Sequence, residues 1–455
     1  MCAAIAGLQD FRQEGPPADI GTFQLPCNVL VFQHTFSGTT YVCAIRSGVR
    51  RWVLIAHLPS TAANDTIVIQ AALDTLTAGR TWKEKIIIKG SFTINAPIYL
   101  DSYTILKLIC FIQASVNFQI LDTGVPPGPG GIRRMIVGRN QQAALPKPEY
   151  IDIIGGVIDC NKANQPAPPY ANDWTGILFF NGTHINIYKT IVRNSKAWGI
   201  YFDNVAHGYL HHVICETNDF YGMGYNHAGG LILGCRCRSN GASGLRLSEK
   251  CPTVVGGEYS YNTGSGIEFM AVASENLHAY DGSVYGAFCH HNTLDGVTMA
   301  VDGAFYALKN SIRDCILVDN SRYGFNEIVG ANYNLLSGGS IHGNLAGDVN
   351  RTGAATIVEN IQDYVTENHV LSPAFAIDGV AIVTVTIPHG LNVTPAVEDC
   401  QLTVVENTAV DDWAEGYHKV ISVGAVNVVA KVKVTTASAT GGATAKLALH
   451  VTSER

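Results

Sequence analysis

Six stretches of this chain repeat Asn-x-x-x-Gly followed by an apolar, any, apolar triplet: Asn172 to Gly176, Asn218 to Gly222, Asn240 to Gly244, Asn262 to Gly266, Asn292 to Gly296 and Asn320 to Gly324. Asn194 to Gly199 is a looser copy. The glycines step by 23, 23, 22, 22, 30 and 28 residues, a fixed period with two insertions. Such a period restricts the chain to a stack of repeating coils, each too small to bury its own apolar face. One place after the glycines stand Ile177, Ile200, Met223, Leu245, Ile267, Val297 and Phe325; three places after stand Phe179, Phe202, Tyr225, Leu247, Phe269, Met299 and Glu327. Apolar residues alternate with variable ones, so each coil opens with a strand whose odd positions face inward, Glu327 being the exception near the end. A second inward column, three places before each asparagine, runs Ile191, Cys215, Cys237, Tyr259, Cys289 and Leu317.

A coil of about 22 residues holds two or three short strands and a polar turn but no helix, which favours a parallel β-helix over leucine-rich or helical solenoids. The repeated asparagines then fall above one another at roughly 4.8 Å, where an amide ladder can satisfy turn backbone. Their expected role is structural. Composition agrees: of 455 residues only 15% are charged against a usual ~25%, and 46 are glycine. The net charge of -7 leaves no electrostatic footprint for nucleic acid or anionic lipid. Neither a run of about 18 apolar residues nor a basic start with an apolar stretch is visible, so no membrane span and no secretory signal are expected. Export would then follow another route, and an extracellular or virion-associated location is expected.

The twelve cysteines are spread along the chain, which suits buried free thiols better than a disulfide framework. Cys215 and Cys237 should share one column, and Cys235 with Cys315 another. Cys235-Arg-Cys237 lacks the second ligand pair of a zinc site, so no structural metal is expected.

The sequence divides into four parts. Residues 1–60 read as a small β-rich lead-in, with Thr39 to Ile45, a turn at Ser47-Gly48 and Trp52 to Ile55 as a hairpin. Residues 61–350 hold a capping helix, with Asn64-Asp65 at its N-cap and Ile69, Ala72, Leu73 and Leu76 on one face before Gly79, and then the coils. Residues 351–368 read as linker. Residues 369–455 carry alternating strands near 381–387, 401–405, 428–435 and 445–451, a spacing that suggests a β-sandwich. Two Pro-rich insertions, Gly124 to Gly131 and Asn164 to Tyr170, cannot be strand and should overhang the coils.

The stretch Asn64-Asp-Thr-Ile-Val-Ile-Gln-Ala-Ala-Leu-Asp74, then Ile86-Ile-Ile-Lys-Gly-Ser-Phe92, then Leu100-Asp-Ser-Tyr-Thr-Ile-Leu106, resembles the opening of the pectate-lyase-like right-handed β-helix superfamily. Gly155-Gly-Val-Ile-Asp-Cys-Asn161 is similar to a coil of polygalacturonases and phage tailspikes. Over residues 60–350 the resemblance implies an all-β, right-handed parallel β-helix that acts on polysaccharide. The paired-Asp, Gly-His-Gly and Arg-x-Lys set of polygalacturonases and the Trp-Ile-Asp-His of pectate lyases are not found. Ile387-Pro-His-Gly-Leu391 followed by Thr394-Pro395 is similar to a C-terminal module of phage tail proteins, which implies a homotrimer or carbohydrate binding.

In a solenoid, chemistry lies on outward columns of one sheet. Two places after the glycines that column runs Leu178, Tyr201, Gly224, Arg246, Glu268, Thr298 and Asn326; four places after, Phe180, Asp203, Asn226, Ser248, Met270, Ala300 and Ile328. The middle coils therefore gather Asp203, Glu249 and Glu268 as candidate catalytic carboxylates, with Tyr201, Asn226, His227 and Arg246 as substrate contacts. Carboxylates for acid and base work, an aromatic ring for a sugar face and donors for hydroxyls are what a carbohydrate groove needs. Asp203 and Glu249, two coils apart at roughly 10 Å, come near the ~6.5–9.5 Å of an inverting pair, whereas Asp203 and Glu268 lie roughly 14 Å apart. Asp203 with Glu249 is the expected pair and Glu268 the reserve. The expected function is a glycoside hydrolase without cofactor. Two alternatives stand beside it: a lyase with Arg246 or Lys250 as base and Ca²⁺ held by the carboxylates, and a non-catalytic glycan-binding fibre. His290-His291 with Asp319 reads as a turn surface.

Overall fold

The computed structural model describes residues 28–47, 52–116, 118, 133–139, 147–165, 174–227, 229–273, 278–352, 355–359 and 361, and the C-terminal strands of 367–371, 375–376, 382–388, 400–407, 417–423, 427–433 and 444–452. Asn172 and most of both Pro-rich insertions lie outside the described residues.

Strands β1 (Val29–Phe36), β2 (Thr39–Ser47) and β3 (Trp52–Pro59) form an antiparallel meander, and β1 also pairs in parallel with Glu84–Ile94, joining the meander to the first coil. β2 and β3 are the hairpin that the sequence indicates, and β1 adds a strand to it. Helix α1 (Ala62–Asp74) begins one turn earlier than expected: Thr61 is the N-cap, its hydroxyl accepting from the Asn64 N–H at 3.3 Å. Asp65 is buried instead and accepts from the Ser60 hydroxyl at 2.7 Å and the Thr93 N–H at 3.0 Å. Val68, Ile69, Ala72 and Leu73 of α1 share one core with Val29, Val31, Ile86 and Ile88, so the helix covers the end of the stack as a solenoid requires.

From Glu84 onward the chain winds as a right-handed parallel β-helix. One sheet has ten parallel strands, running from Ile98–Leu100 to Gly347–Asn350; a 22-stranded sheet that also takes in β1 to β3 forms other faces, and Glu249–Lys250, Ala279–Tyr280, Phe305–Leu308 and Val301–Asp302 make a small four-stranded one. A left-handed residue marks a corner of successive coils, Lys189, His212, Gly234, Gly256, Gly286, Asp314 and Gly338. Both expected inward columns of the ten-stranded sheet are buried: Ile200, Phe202, Leu245, Leu247, Ile267 and Phe269 are each 0% exposed. Glu327 is also inward, and its carboxylate accepts from Asn334 Nδ2 at 2.9 Å and from Thr356 Oγ1. The stack continues past residue 350, since Ile357–Glu359 pairs in register with Leu335–Ser337, inside the stretch read as linker.

The repeated asparagines form the expected ladder. Asn218, Asn240, Asn262, Asn292, Asn320 and Asn344 are buried, and the Oδ1 of each from Asn240 on accepts both the backbone N–H and the Nδ2 of the one before. The repeat glycines are required by close approach. A Cβ on Gly222 would lie 2.6 Å from the carbonyl oxygen of Gly244, and one on Gly199 would lie 2.6 Å from that of Gly222. The looser copy is shifted by one residue. Ser195, not Asn194, occupies the ladder position, its N–H donating to Asn218 Oδ1, and Val192, not Ile191, stands in register with Cys215. Asn194 sits in the left-handed turn instead (φ 56).

The nine cysteines from Cys43 to Cys315 are free thiols, eight of them buried. Cys215 and Cys237 are register partners as expected. Cys235 and Cys315 occupy one column, separated by Gly257 and Ala287, whose carbonyls continue the same chain of hydrogen bonds. The C-terminal strands pair antiparallel in a four-stranded and a three-stranded sheet, in the spans the alternation indicated, with Glu367–Leu371, Phe375–Ala376 and Tyr417–Val423 added.

Candidate functional site

The outward column of the ten-stranded sheet is in register as read: Tyr201 lies beside Gly224, Gly224 beside Arg246, Arg246 beside Glu268, Glu268 beside Thr298 and Thr298 beside Asn326. What these positions present depends on their neighbours. Trp198, just before its repeat glycine, stacks on Tyr201 (ring centroids 4.6 Å apart) and on Tyr221 (4.4 Å), which holds the same place in the next coil. Gly224 makes room for this, because a Cβ there would collide with the Trp198 ring. Arg246 lies over the Trp198 and Tyr221 rings at 5.5 and 5.6 Å, contacts that stabilise the charged guanidinium. Tyr201 remains half-buried, whereas Trp198 and Tyr221 are 1% and 7% exposed.

Glu268 continues this cluster. Its Oε2 accepts from the Ser243 hydroxyl at 2.8 Å, and its carboxylate also engages the Tyr221 hydroxyl. Burial raises its pKa above the ordinary carboxylate range, and the Ser243 bond, the Arg246 charge and the Tyr221 bond offset only part of that. Beyond it the column closes over: Thr298 and Asn326 are buried and donate to Asp295 Oδ2 at 2.8 and 2.9 Å, and Asp295 Oδ1 accepts from the Tyr323 N–H and faces Arg322 at 3.3 Å.

The second cluster lies at the strand ends. Asp203 ends its strand, while His227 (φ 49) and Glu249 (φ 59) occupy the left-handed turn that follows the next two strands, in line with Asn181 (φ 58) and Asn204 (φ 51). The His227 ring stands between the carboxylates, Nδ1 3.6 Å from Asp203 Oδ1 and Nε2 3.5 Å from Glu249 Oε2. Two such contacts at the two nitrogens of one imidazole hold the carboxylate oxygens no further apart than roughly 9 Å, with the ring between them. Their side chains are 17%, 34% and 29% exposed for Asp203, His227 and Glu249, open to a ligand yet partly desolvated.

Six of the seven residues read as site residues thus fall into two neighbouring clusters: Asp203, His227 and Glu249 in one, Tyr201, Arg246 and Glu268 in the other. Asn226 does not reach the surface. It is 2% exposed and in register with Asp203, so it packs beneath the site instead of lining it. Sequence reasoning missed Trp198, Tyr221, Ser243 and Asp295, all of which precede a repeat glycine; reading that column would have found them. His290 and His291 lie on another face, ring nitrogens 2.9 Å apart, with His290 Nε2 3.5 Å from Glu258.

The architecture is that of a right-handed parallel β-helix. Among solved structures, ORF18 of Geobacillus virus E2 is similar with a TM-score of 0.53 and 12% identity, covering 90% of this chain and 83% of that one. The pre-mature gene product 12 of bacteriophage phi29 is similar with a TM-score of 0.50 and 12% identity over 66% of this chain; the match spans 47% of that product's length. The Yersinia enterocolitica family 28 exopolygalacturonase follows at a TM-score of 0.46 and 12% identity, over 71% of this chain and 76% of that one. At such identities the likeness is one of fold. No protein-family profile and no curated protein sequence matches the chain. Among the described residues no helix is long and apolar enough to cross a membrane.

Proposed function

We propose that this chain hydrolyses a polysaccharide in the groove along its ten-stranded sheet, with Asp203 and Glu249 as the acid and base. The observation that carries this reading is the pair of carboxylates held across His227 on three successive coils, beside a shelf of Tyr201 and Arg246. One carboxyl would protonate the glycosidic oxygen while the other takes a proton from the attacking water, which inverts the anomeric centre. Tyr201, backed by Trp198, offers a ring to a sugar face, and Arg246 offers donors to hydroxyls or to a uronate. Glu268, kept protonated to higher pH by burial, is the reserve acid.

The reading extends to a homotrimer assembled through the C-terminal strands and carried on a virion. It is in keeping with the viral source of two neighbours of similar fold and with the strand edges the C-terminal sheets would otherwise expose. Light scattering should then give three times the chain mass, and a monomer at micromolar concentration would refute the assembly.

The test of the chemistry is a polysaccharide screen read by new reducing ends and by the ultraviolet absorbance of unsaturated products. On a substrate the wild type cleaves, Asp203→Asn and Glu249→Gln should each lower kcat by about 10² to 10⁴-fold and leave binding largely intact. Full activity in both variants would refute the assignment. Unsaturated products would place the reaction with the lyases, with Arg246 or Lys250 as base and Ca²⁺ among the carboxylates, and binding without cleavage would make the chain a glycan-binding fibre.

A further inference from the structure

The outer face of the N-terminal meander carries three metal-ligating side chains, one from each strand. Phe32 pairs with Cys43 and His34 with Tyr41 across β1 and β2, and Cys43 pairs with His57 across β2 and β3. The period of two therefore sets His34, Cys43 and His57 on one face, while Val29, Val31, Val42 and Ala44 on the other are buried in the core shared with α1. The donor atoms converge: His34 Nε2 and His57 Nε2 are 3.2 Å apart, and with Cys43 Sγ all three lie within 4.8 Å of one another. Among the described residues this is the one set of three His, Cys, Asp or Glu donors so close together. The rings are also fixed in direction. His34 and His57 stack at 5.3 Å and 11°, and Tyr41 stacks on both, at 5.6 and 4.7 Å.

Two imidazoles sharing one proton would explain the short nitrogen contact but not the thiol placed between the same two strands. A cation accounts for all three. Two nitrogen ligands at ~2.0–2.1 Å from a tetrahedral ion stand about 3.3 Å apart, the separation observed, and a thiolate at ~2.3 Å completes a three-donor set. Two imidazoles and one sulfur select a borderline-soft transition ion over Ca²⁺ or Mg²⁺.

We propose that His34, Cys43 and His57 bind a divalent transition-metal ion, zinc in the first instance, whose fourth position faces solvent on the half-buried His34 and His57 side. Binding releases the Cys43 proton to solvent and ties β1, β2 and β3 together where the meander meets the first coil. The site is independent of the polysaccharide groove.

The test uses the full chain, stripped with chelator and titrated with Zn²⁺ and with Co²⁺. One Zn²⁺ per chain should survive gel filtration, and the Co²⁺ form should show a thiolate-to-metal charge-transfer band in the near ultraviolet. Cys43→Ser should remove that band, and His34→Gln and His57→Gln should each weaken Zn²⁺ binding by at least about tenfold. His34→Gln changes a half-buried rim residue and keeps the test open if Cys43→Ser fails to fold, with circular dichroism as the control. No stoichiometric Zn²⁺ in the wild type, equal binding of Ca²⁺, or an unchanged band in Cys43→Ser would each overturn the proposal.

Discussion

Replacing Asn262 by alanine removes the centre of the asparagine ladder, and the contacts fix what that should cost. Asn262 Oδ1 accepts the Asn240 N–H at 3.1 Å and Asn240 Nδ2 at 2.9 Å; its own Nδ2 donates to the Cys237 carbonyl at 3.1 Å and to Asn292 Oδ1 at 3.0 Å. The site is buried, so water does not replace these partners. The Asn240 N–H loses its acceptor, the Cys237 carbonyl loses a donor, and each such orphan costs about 1–3 kcal/mol; the amide-to-amide bonds add roughly 1 kcal/mol each. Asn262→Ala should therefore lose about 4–8 kcal/mol. Asn204→Gly is the control: Asn204 is exposed, bonded to Asn181 in the turn, and glycine keeps its left-handed backbone (φ 51), so it should stay within about 1 kcal/mol of wild type. Urea unfolding followed by the buried Trp174 and Trp198 reads the global effect. Hydrogen exchange at the Asn240 amide reads the local one, because coils couple chiefly to their neighbours. A loss below about 1 kcal/mol for Asn262→Ala, or equal losses for the two variants, would refute the ladder as a source of stability.

Gly222→Ala should destabilise by at least about 1–3 kcal/mol, because the new methyl meets the Gly244 carbonyl, which is backbone and cannot rotate away; the denaturant midpoint measures it. Phe202→Ala should cost about 3–5 kcal/mol by the same measurement, since Phe202 is fully buried and packs edge-on against Phe179 and Tyr225 at 6.0 and 5.2 Å. Burial raises the Glu268 pKa, so its protonated form favours the fold: that contribution is complete below the ordinary carboxylate range and is lost as pH rises through the raised value. Stability measured from pH ~4 to ~7 should thus decline more in the wild type than in Glu268→Gln.

The fold was legible because its constraints act at each position alone. A Cβ at a repeat glycine would strike the next coil's backbone, and an asparagine at the ladder position serves the same backbone groups in each coil, so both recur as letters. Where another residue can do the same work, the letter misleads: Ser195 satisfies the ladder from one place beyond Asn194. The site was legible only in part because outward residues are constrained by what surrounds them. Periodicity placed Tyr201, Arg246 and Glu268 in one column and put Asp203 two coils from Glu249, but it treated every outward position as equally open. Depth on a β-helix face depends on the bulk of side chains one coil away and one place along. Trp198 folds over the gap at Gly224, while Asp295 draws Thr298 and Asn326 out of solvent. Asn226, by contrast, is as far along its strand as Asp203 yet lies buried, so the same register position lines the candidate site in one coil and is packing in the next. The left-handed turn after the strand supplies what the strand does not: there His227 and Glu249 follow Asn181 and Asn204, and the change from amides to an imidazole and a carboxylate marks the coils where the turn faces Asp203. A turn column whose residues change chemistry while their backbone conformation stays fixed is free of the fold's demands, and that freedom is what makes it the candidate for function.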